Sequence, residues 1–93
     1  TWNHIADDGV KALAASPHLN HLTSLNLGSN HITDDGAKDI AASPHFAHLT
    51  ELYLLGNEIR AEGARALAES PHLAESIRER WRNRSLVLAA LGK

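Results

Sequence analysis

The chain has 93 residues, a net charge of −2, 22% charged residues and no cysteine. This length allows at most one small domain, and the lack of cysteine excludes disulfides, thiol catalysis and zinc–thiolate sites. The composition is not that of a disordered chain, and no apolar run approaches the roughly 20 residues that a membrane-spanning helix needs.

The chain repeats itself with a period of 27 residues. The recurring features are an Asn-x-Ile triplet, a single glycine and a Ser-Pro-His triplet, in which the third Asn-x-Ile copy carries Glu where the others carry His. They lie at residues 3–5, 30–32 and 57–59, at Gly9, Gly36 and Gly63, and at residues 16–18, 43–45 and 70–72. Self-similarity at such a period is typical of proteins built as stacked arrays.

In chain order, residues 1–21 form a partial repeat that begins at its loop, followed by complete repeats at 22–48 and 49–75. Each complete repeat opens with L-x-x-L-x-L, which predicts strands at roughly 23–27 and 50–54. Farther on, Ala37, Ile40 and Ala41 have helical spacing. The Ser-Pro pair ends each helix, because the residue before proline is pushed out of the helical conformation. A chain that starts within a repeat and without Met is expected to come from a longer protein.

Residues 76–93 are predicted to form a C-terminal helical cap. Leu73, Ile77 and Trp81 are spaced four apart, Leu88 and Leu91 extend the stripe, and Trp81 is expected to cover the core of the last strand. Two forms of this cap stay open. It is either one helix or two helices with a break near 83–85, where Ser85 could cap a second helix over 86–91.

The period and the pattern resemble leucine-rich repeats over residues 1 to about 75. The helical segments are similar to the ribonuclease-inhibitor-like class, and more narrowly to its bacterial branch with Gly-Ala-x-x-Leu-Ala repeats. These segments read Asp35-Gly36-Ala37-Lys38-Asp39-Ile40-Ala41 and Glu62-Gly63-Ala64-Arg65-Ala66-Leu67-Ala68. The resemblance implies an α/β solenoid, a right-handed β-α superhelix with a short parallel sheet on its concave face and helices on its convex face.

The resemblance also implies a structural asparagine ladder of Asn3, Asn30 and Asn57, whose side chains bond to backbone groups of their own and neighbouring bends. Gly36 and Gly63 are interpreted as points where helix and sheet approach closely. A phosphate-binding loop would need several glycines together, and each repeat has one at this position.

The charges are uneven. Residues 1–77 carry four Lys or Arg against ten Asp or Glu, and residues 78–93 carry five against one. The basic cluster is Arg78, Arg80, Arg82 and Arg84. It suggests either contact with nucleic acid or anionic lipid, or a solvated helix face paired with Glu75 and Glu79. The acidic body favours the second reading, so we expect neither nucleic acid nor a membrane as partner.

The seven histidines occupy repeated positions, so we expect no dedicated metal site and no cofactor, although a column of stacked histidines could bind Zn²⁺ or Ni²⁺ adventitiously. Candidate Ser, His and Asp residues are likewise copied from repeat to repeat. A catalytic site needs one group of each kind in a unique geometry, so we expect no enzymatic activity.

The predicted concave face presents the residues between the leucines, which are Ser24, Asn26, Glu51, Tyr53 and Leu55. An exposed aromatic beside an exposed aliphatic makes Tyr53 and Leu55 the best candidate anchors for a protein partner, unless the cap folds over them. Trp2 occupies the loop position of Ser29 and Gly56. It too is interpreted either as an anchor for a partner or as a residue that the rest of the fold covers.

The sequence therefore predicts a protein–protein interaction module, the C-terminal part of a longer array. The alternatives are a targeting arm of a bacterial effector linked to host ubiquitin machinery, and a purely structural cap. The sequence leaves the cellular location of the protein open. It is either the cytoplasm or, if the protein is an effector, a host cell into which the protein is delivered. The first strand has an open edge, so self-association through that edge is also expected.

Overall fold

The computed structural model describes residues 5–93, and the predictions for Trp2, Asn3 and His4 lie outside this range. Helices and strands alternate until the last two helices, which follow each other directly. A short 3-10 helix precedes each strand, at Pro17–Leu19 and at Pro44–Phe46. The remaining elements are α1 (Ala6–Ala14), β1 (Ser24–Asn26), α2 (Asp34–Ala42), β2 (Glu51–Tyr53), α3 (Ala61–Ala68) and α4 (Glu75–Ala90).

The two strands form a parallel sheet in which Leu25 pairs with Leu52, as the repeat predicts. Both strands are shorter than the predicted ranges, but the backbone hydrogen bonds between the repeats continue past them. The Leu27 amide donates to the Tyr53 carbonyl oxygen and the Ser29 amide to that of Leu55, each at 2.8 Å. The architecture is thus α/β, with helices that alternate with the strands of a short parallel sheet.

The boundaries of α2 follow from side chains at its two ends. Thr33 precedes α2, and its hydroxyl accepts a hydrogen bond of 3.3 Å from the Asp35 amide. At the other end, Ser43 leaves the helical conformation, and its hydroxyl accepts from the His45 amide at 3.2 Å. Pro44 fits the first position of the following 3-10 helix because no backbone donor is needed there.

A single apolar core joins the strands to the helices. Leu27 and Leu52 contribute from the strand segments, Ile40 and Leu67 contribute from α2 and α3, and Phe46 is fully buried between the repeats. Such burial is the main favourable term in folding. It explains why a chain with a small aromatic content can still hold a core built on Leu, Ile and Ala.

α4 is one continuous helix, so the two-helix form with a break near 83–85 is wrong. The Ser85 hydroxyl donates to the Arg82 carbonyl oxygen at 2.8 Å, a backbone contact that Ser makes inside a helix. Ile77 and Trp81 are buried against the core as expected, whereas Leu91 is exposed and does not extend the stripe. Over residues 5–93, none of the helices combines the length and the apolar character needed to cross a bilayer.

Candidate functional site

The structure brings the five predicted partner-binding residues together. The pairing sets Ser24 beside Glu51 and Asn26 beside Tyr53, and all four side chains are exposed while Leu52 between them is buried. Leu55 follows Tyr53 at the spacing that keeps it on the same side. We call these five residues the sheet face.

Tyr53 is held by its neighbour on β2. Its hydroxyl donates a hydrogen bond of 2.9 Å to Oε2 of Glu51. This bond, followed by the negative charge of Glu51 and by partial burial, raises the pKa of Tyr53 above its usual value, while the positive charge of Arg80 acts in the opposite direction. The phenol is therefore hydrogen-bonded and protonated at neutral pH.

α4 lines the sheet face without covering it. Arg80, Trp81 and Arg84 form one wall of a groove of about 260 Å³ whose floor comes from residues 52–55, and we call it the Trp81 groove. Tyr53 remains 41% exposed and Leu55 remains 70% exposed beside this wall. Small-molecule sites usually have about 300–1,000 Å³, so the groove suits a side chain of a partner better than a cofactor.

The four arginines of α4 fall into two pairs. Arg78 bridges to Glu75 at 2.6 Å, three residues along the helix as predicted, and Arg82 bridges to the same carboxylate at 3.8 Å. Arg80 and Arg84 instead line the Trp81 groove and form no ion pair within the described part of the chain. The guanidinium carbon of Arg84 lies 5.9 Å from the centroid of the Trp81 ring, within the range of a cation–π contact.

Glu79 was the other expected partner of these arginines. It is exposed and takes part in no ion pair among residues 5–93, so its predicted pairing is wrong. The carboxylate of Glu75 reaches both arginines one and two turns along the helix, which leaves Glu79 without a role in the pairing.

The two described asparagines of the predicted ladder link adjacent bends. Oδ1 of Asn57 accepts hydrogen bonds of 2.9 Å from the amides of Asn30 and Ile32, and its Nδ2 donates to the Leu27 carbonyl oxygen at 2.8 Å. Asn30 repeats part of this pattern one unit earlier, since its Oδ1 accepts from the Ile5 amide at 3.3 Å.

A second set of links, through aspartates, was not foreseen. Asp7 accepts from the Thr33 amide at 2.8 Å and from the Thr33 hydroxyl at 2.5 Å. Asp34 accepts from the Arg60 amide at 2.7 Å. Their partners lie in the following repeat, so the pattern within one repeat does not show this role. The recurrence of Asp at the same repeat position was the available signal, and Ala61 stands there in the next repeat.

These aspartates also lie against two of the recurring glycines, Gly36 and Gly63, whereas a Cβ at Gly9 would meet the side chain of Ile5. A Cβ at Gly36 would overlap Oδ1 of Asp7, and one at Gly63 would overlap Oδ1 of Asp34. The close approach is therefore between neighbouring helix N-termini, and the predicted approach of helix to sheet is wrong. A side chain at either position would have to displace the carboxylate of the preceding repeat, and at Gly63 it would also come within 3.0 Å of Cα of Asp34.

The Ser-Pro-His triplets have a structural reason as well. The hydroxyls of Ser43 and Ser70 donate at 2.6 Å to the carbonyl oxygens of Ala14 and Ala41, each in the helix one repeat earlier. Both serines are buried. The recurrence of the serine thus follows from the way the return loop bonds to the preceding helix.

The histidines stack in part, as expected from the repeat. The rings of His21 and His48 lie 6.4 Å apart between centroids and 18° from parallel, and Nδ1 of His45 is 2.6 Å from Oδ1 of Asn20. Across the described residues, no three His, Asp or Glu side chains come close enough to hold a metal ion.

Comparison with known proteins identifies the repeat. A protein-family profile described as Leucine Rich repeat matches residues 1–14, 18–41 and 47–68, together more than half of the chain. The second segment contains β1 and nearly all of α2, and the third contains β2 and α3. No curated protein and no solved structure matches the chain. The repeated sequence, the parallel strands and the profile agree, and the chain belongs to the leucine-rich repeat family.

Proposed function

We propose that this chain is a protein-binding module that receives its partner on the sheet face. Leucine-rich repeat domains commonly mediate protein–protein interaction. The observation that supports this particular surface is the exposure of Tyr53 and Leu55 side by side next to α4. Aromatic anchors beside apolar neighbours are typical centres of protein interfaces.

The finer architecture belongs to the same proposal. Two parallel strands joined through a helix favour a right-handed crossover, and helices are wider than strands, so stacked units curve with the sheet inside. We assign residues 1–21 to a partial repeat, 22–48 and 49–75 to complete repeats, and 76–93 to a helical cap. The likeness of residues 35–41 and 62–68 to ribonuclease-inhibitor-like, bacterial repeats supports that class.

A structural cap is a second candidate role, and Ala61 favours it. Asp7 and Asp34 each bond to the repeat that follows, but the same position in α3 is an alanine that cannot accept such a bond. Beyond it, Ile77 and Trp81 of α4 bury their side chains where a further repeat would pack. The targeting-arm alternative would use the sheet face as well, so its test is the same.

The binding role can be tested with a displayed library of random peptides selected on the immobilised chain. We expect the selected peptides to bind the Tyr53→Ser, Leu55→Ser double variant about tenfold more weakly or worse. Leu86→Ser is the matched control, because Leu86 is an exposed leucine of α4 outside the Trp81 groove. Circular dichroism and urea unfolding establish that all variants fold.

Peptides that bind wild type and the double variant equally would contradict a binding role for the sheet face. If no peptide is selected on the wild-type chain, and the double variant is as stable as wild type, the structural cap is favoured.

A further inference from the structure

We infer that the partner's docking segment is an acidic peptide whose carboxylates lie between two apolar side chains. This inference rests on the proposed function, because it describes the ligand of the same surface. It is carried by two grooves that meet at Arg80 and Arg84.

The first groove is the Trp81 groove, whose wall and floor are mainly apolar. Leu55 and Tyr53 of its floor are open to solvent, and the Trp81 side chain in its wall is largely buried. A leucine or aromatic side chain of a partner would cover this apolar surface, and burying it provides the hydrophobic part of the binding free energy.

The second groove runs along α4 and has a volume of about 500 Å³. Its apolar lining comes from Val87, Leu88 and Leu91, of which Val87 and Leu91 are exposed. Arg80 and Arg84 line this groove as well as the first one. The two arginines therefore stand between two apolar depressions, on one side of the helix because they are four residues apart.

Arg80 and Arg84 differ from Arg78 and Arg82 in that their positive charges are not neutralised by an ion pair within the described residues. Arg78 and Arg82 share the carboxylate of Glu75, whereas Arg80 and Arg84 have no carboxylate partner among residues 5–93. A ligand that reaches both grooves must cross the two guanidinium groups. Carboxylates at that point of the ligand complement them, and complementary charge favours one partner over others.

The surrounding charge limits the ligand to a short acidic segment. Glu51 is exposed on the sheet face and bonded to Tyr53, close to the groove. A continuous polyanion such as a nucleic acid would meet this carboxylate and the acidic residues of the repeats. In a peptide with one or two carboxylates flanked by apolar side chains, the carboxylates contact the arginines and no negative charge extends to the acidic residues around them.

The test uses the same random peptide library on the whole chain. We expect the selected peptides to be enriched in sequences with Asp or Glu between two apolar residues. Arg80→Gln, Arg84→Gln should weaken their binding about tenfold, the effect of losing two exposed ion pairs, and added salt should weaken the wild-type complex. The matched control is Arg78→Gln, Arg82→Gln, which removes the same charge from the same helix and should change affinity less than about twofold.

Peptides that need Tyr53 and Leu55 but bind equally well without Arg80 and Arg84 would overturn this inference and leave the proposed function intact. Selected peptides without the acidic centre would overturn it too. A single-stranded DNA oligonucleotide serves as a second probe, and binding that is as strong as that of the peptides and lost with the same two arginines would overturn it. Peptides unaffected by loss of Tyr53 and Leu55 would contradict both.

Discussion

Ser70 bonds to Ala41 across a full repeat, with 2.6 Å between the hydroxyl oxygen and the carbonyl oxygen that accepts it. The same hydroxyl accepts from the amides of His72 and Leu73 at 3.1 Å each. One buried atom therefore satisfies a carbonyl at the end of α2 and two donors in the loop that leads to α4.

Replacing Ser70 with alanine should lower the free energy of unfolding by about 2 kcal/mol, since it leaves buried backbone groups without partners. Ser16→Ala is the matched control at the same repeat position, where the hydroxyl only accepts from the His18 amide at 3.3 Å. We expect that change to cost about 0.5 kcal/mol. Urea unfolding followed by circular dichroism measures both, and equal losses would contradict the proposed importance of the bond to Ala41.

Asn57→Ala should be more damaging. Its side chain accepts from two amides of the preceding repeat and donates to two carbonyl oxygens, those of Leu27 and Leu54. We expect a loss of about 3 kcal/mol in urea unfolding, because several partly buried groups lose their partner at once. Asn83→Ala, at an exposed position of α4, should stay within about 0.5 kcal/mol of wild type. A loss at Asn57 no larger than at Asn83 would show that water replaces the side chain.

Gly36→Ala should destabilise the chain by about 2 kcal/mol, although alanine is the better helix former. The new methyl group would overlap the Asp7 carboxylate and lie 2.6 Å from Cγ2 of Ile32. Adding Asp7→Ala to this variant should cost less than the sum of the two single changes, since the overlap with the carboxylate disappears. Strict additivity of the two losses in urea unfolding would argue against this account.

Glu51→Gln should lower the pKa of Tyr53, because the change removes the hydrogen bond from the phenol to a carboxylate and the negative charge of that carboxylate. A folded-state pKa above the unfolded one means that this group stabilises the fold below the unfolded pKa, and that the contribution is lost as pH rises through the folded pKa. Tyr53 is the one tyrosine of the chain, so its phenolate absorbance reports it directly. An unchanged titration curve would contradict the effect of Glu51.

Self-association through β1 remains a prediction, and its geometry can be tested. The carbonyl of Thr23 and the amide of Leu27 bond toward β2, so the backbone groups of Ser24 face the open side by the alternation of a parallel ladder. Ser24→Pro should therefore abolish oligomers seen in sedimentation velocity while preserving the fold. Leu25→Pro is the contrasting variant, which should unfold the sheet. A wild type that stays monomeric at all concentrations would contradict self-association.

The repeat predicted the stacking of Leu25 on Leu52 because identical units pack in identical ways. It also pointed to the residues of the sheet face, since alternation along a strand fixes which side chains leave the core. These features depend on period and pattern alone, which a single sequence contains.

The bonds of Asp7 and Ser70 could not be predicted in the same way. Their partners are backbone atoms of another repeat, and which atoms come within reach depends on the offset between neighbouring helices. The two-groove surface was missed for a related reason. α4 departs from the repeat, so its position beside β2, and the separation of Arg80 and Arg84 from Glu75, follow from tertiary packing.

The links between repeats restrict how the length of this protein can vary. The bridges of Asp7, Asn57 and Ser70 join residues that are 26, 27 and 29 positions apart, respectively. Inserting or deleting a few residues within a unit would misalign the acceptors and donors that span it, whereas adding or removing one whole unit restores every bridge with a new copy. Duplication or loss of complete repeats in the gene is thus the change in length that the fold accommodates.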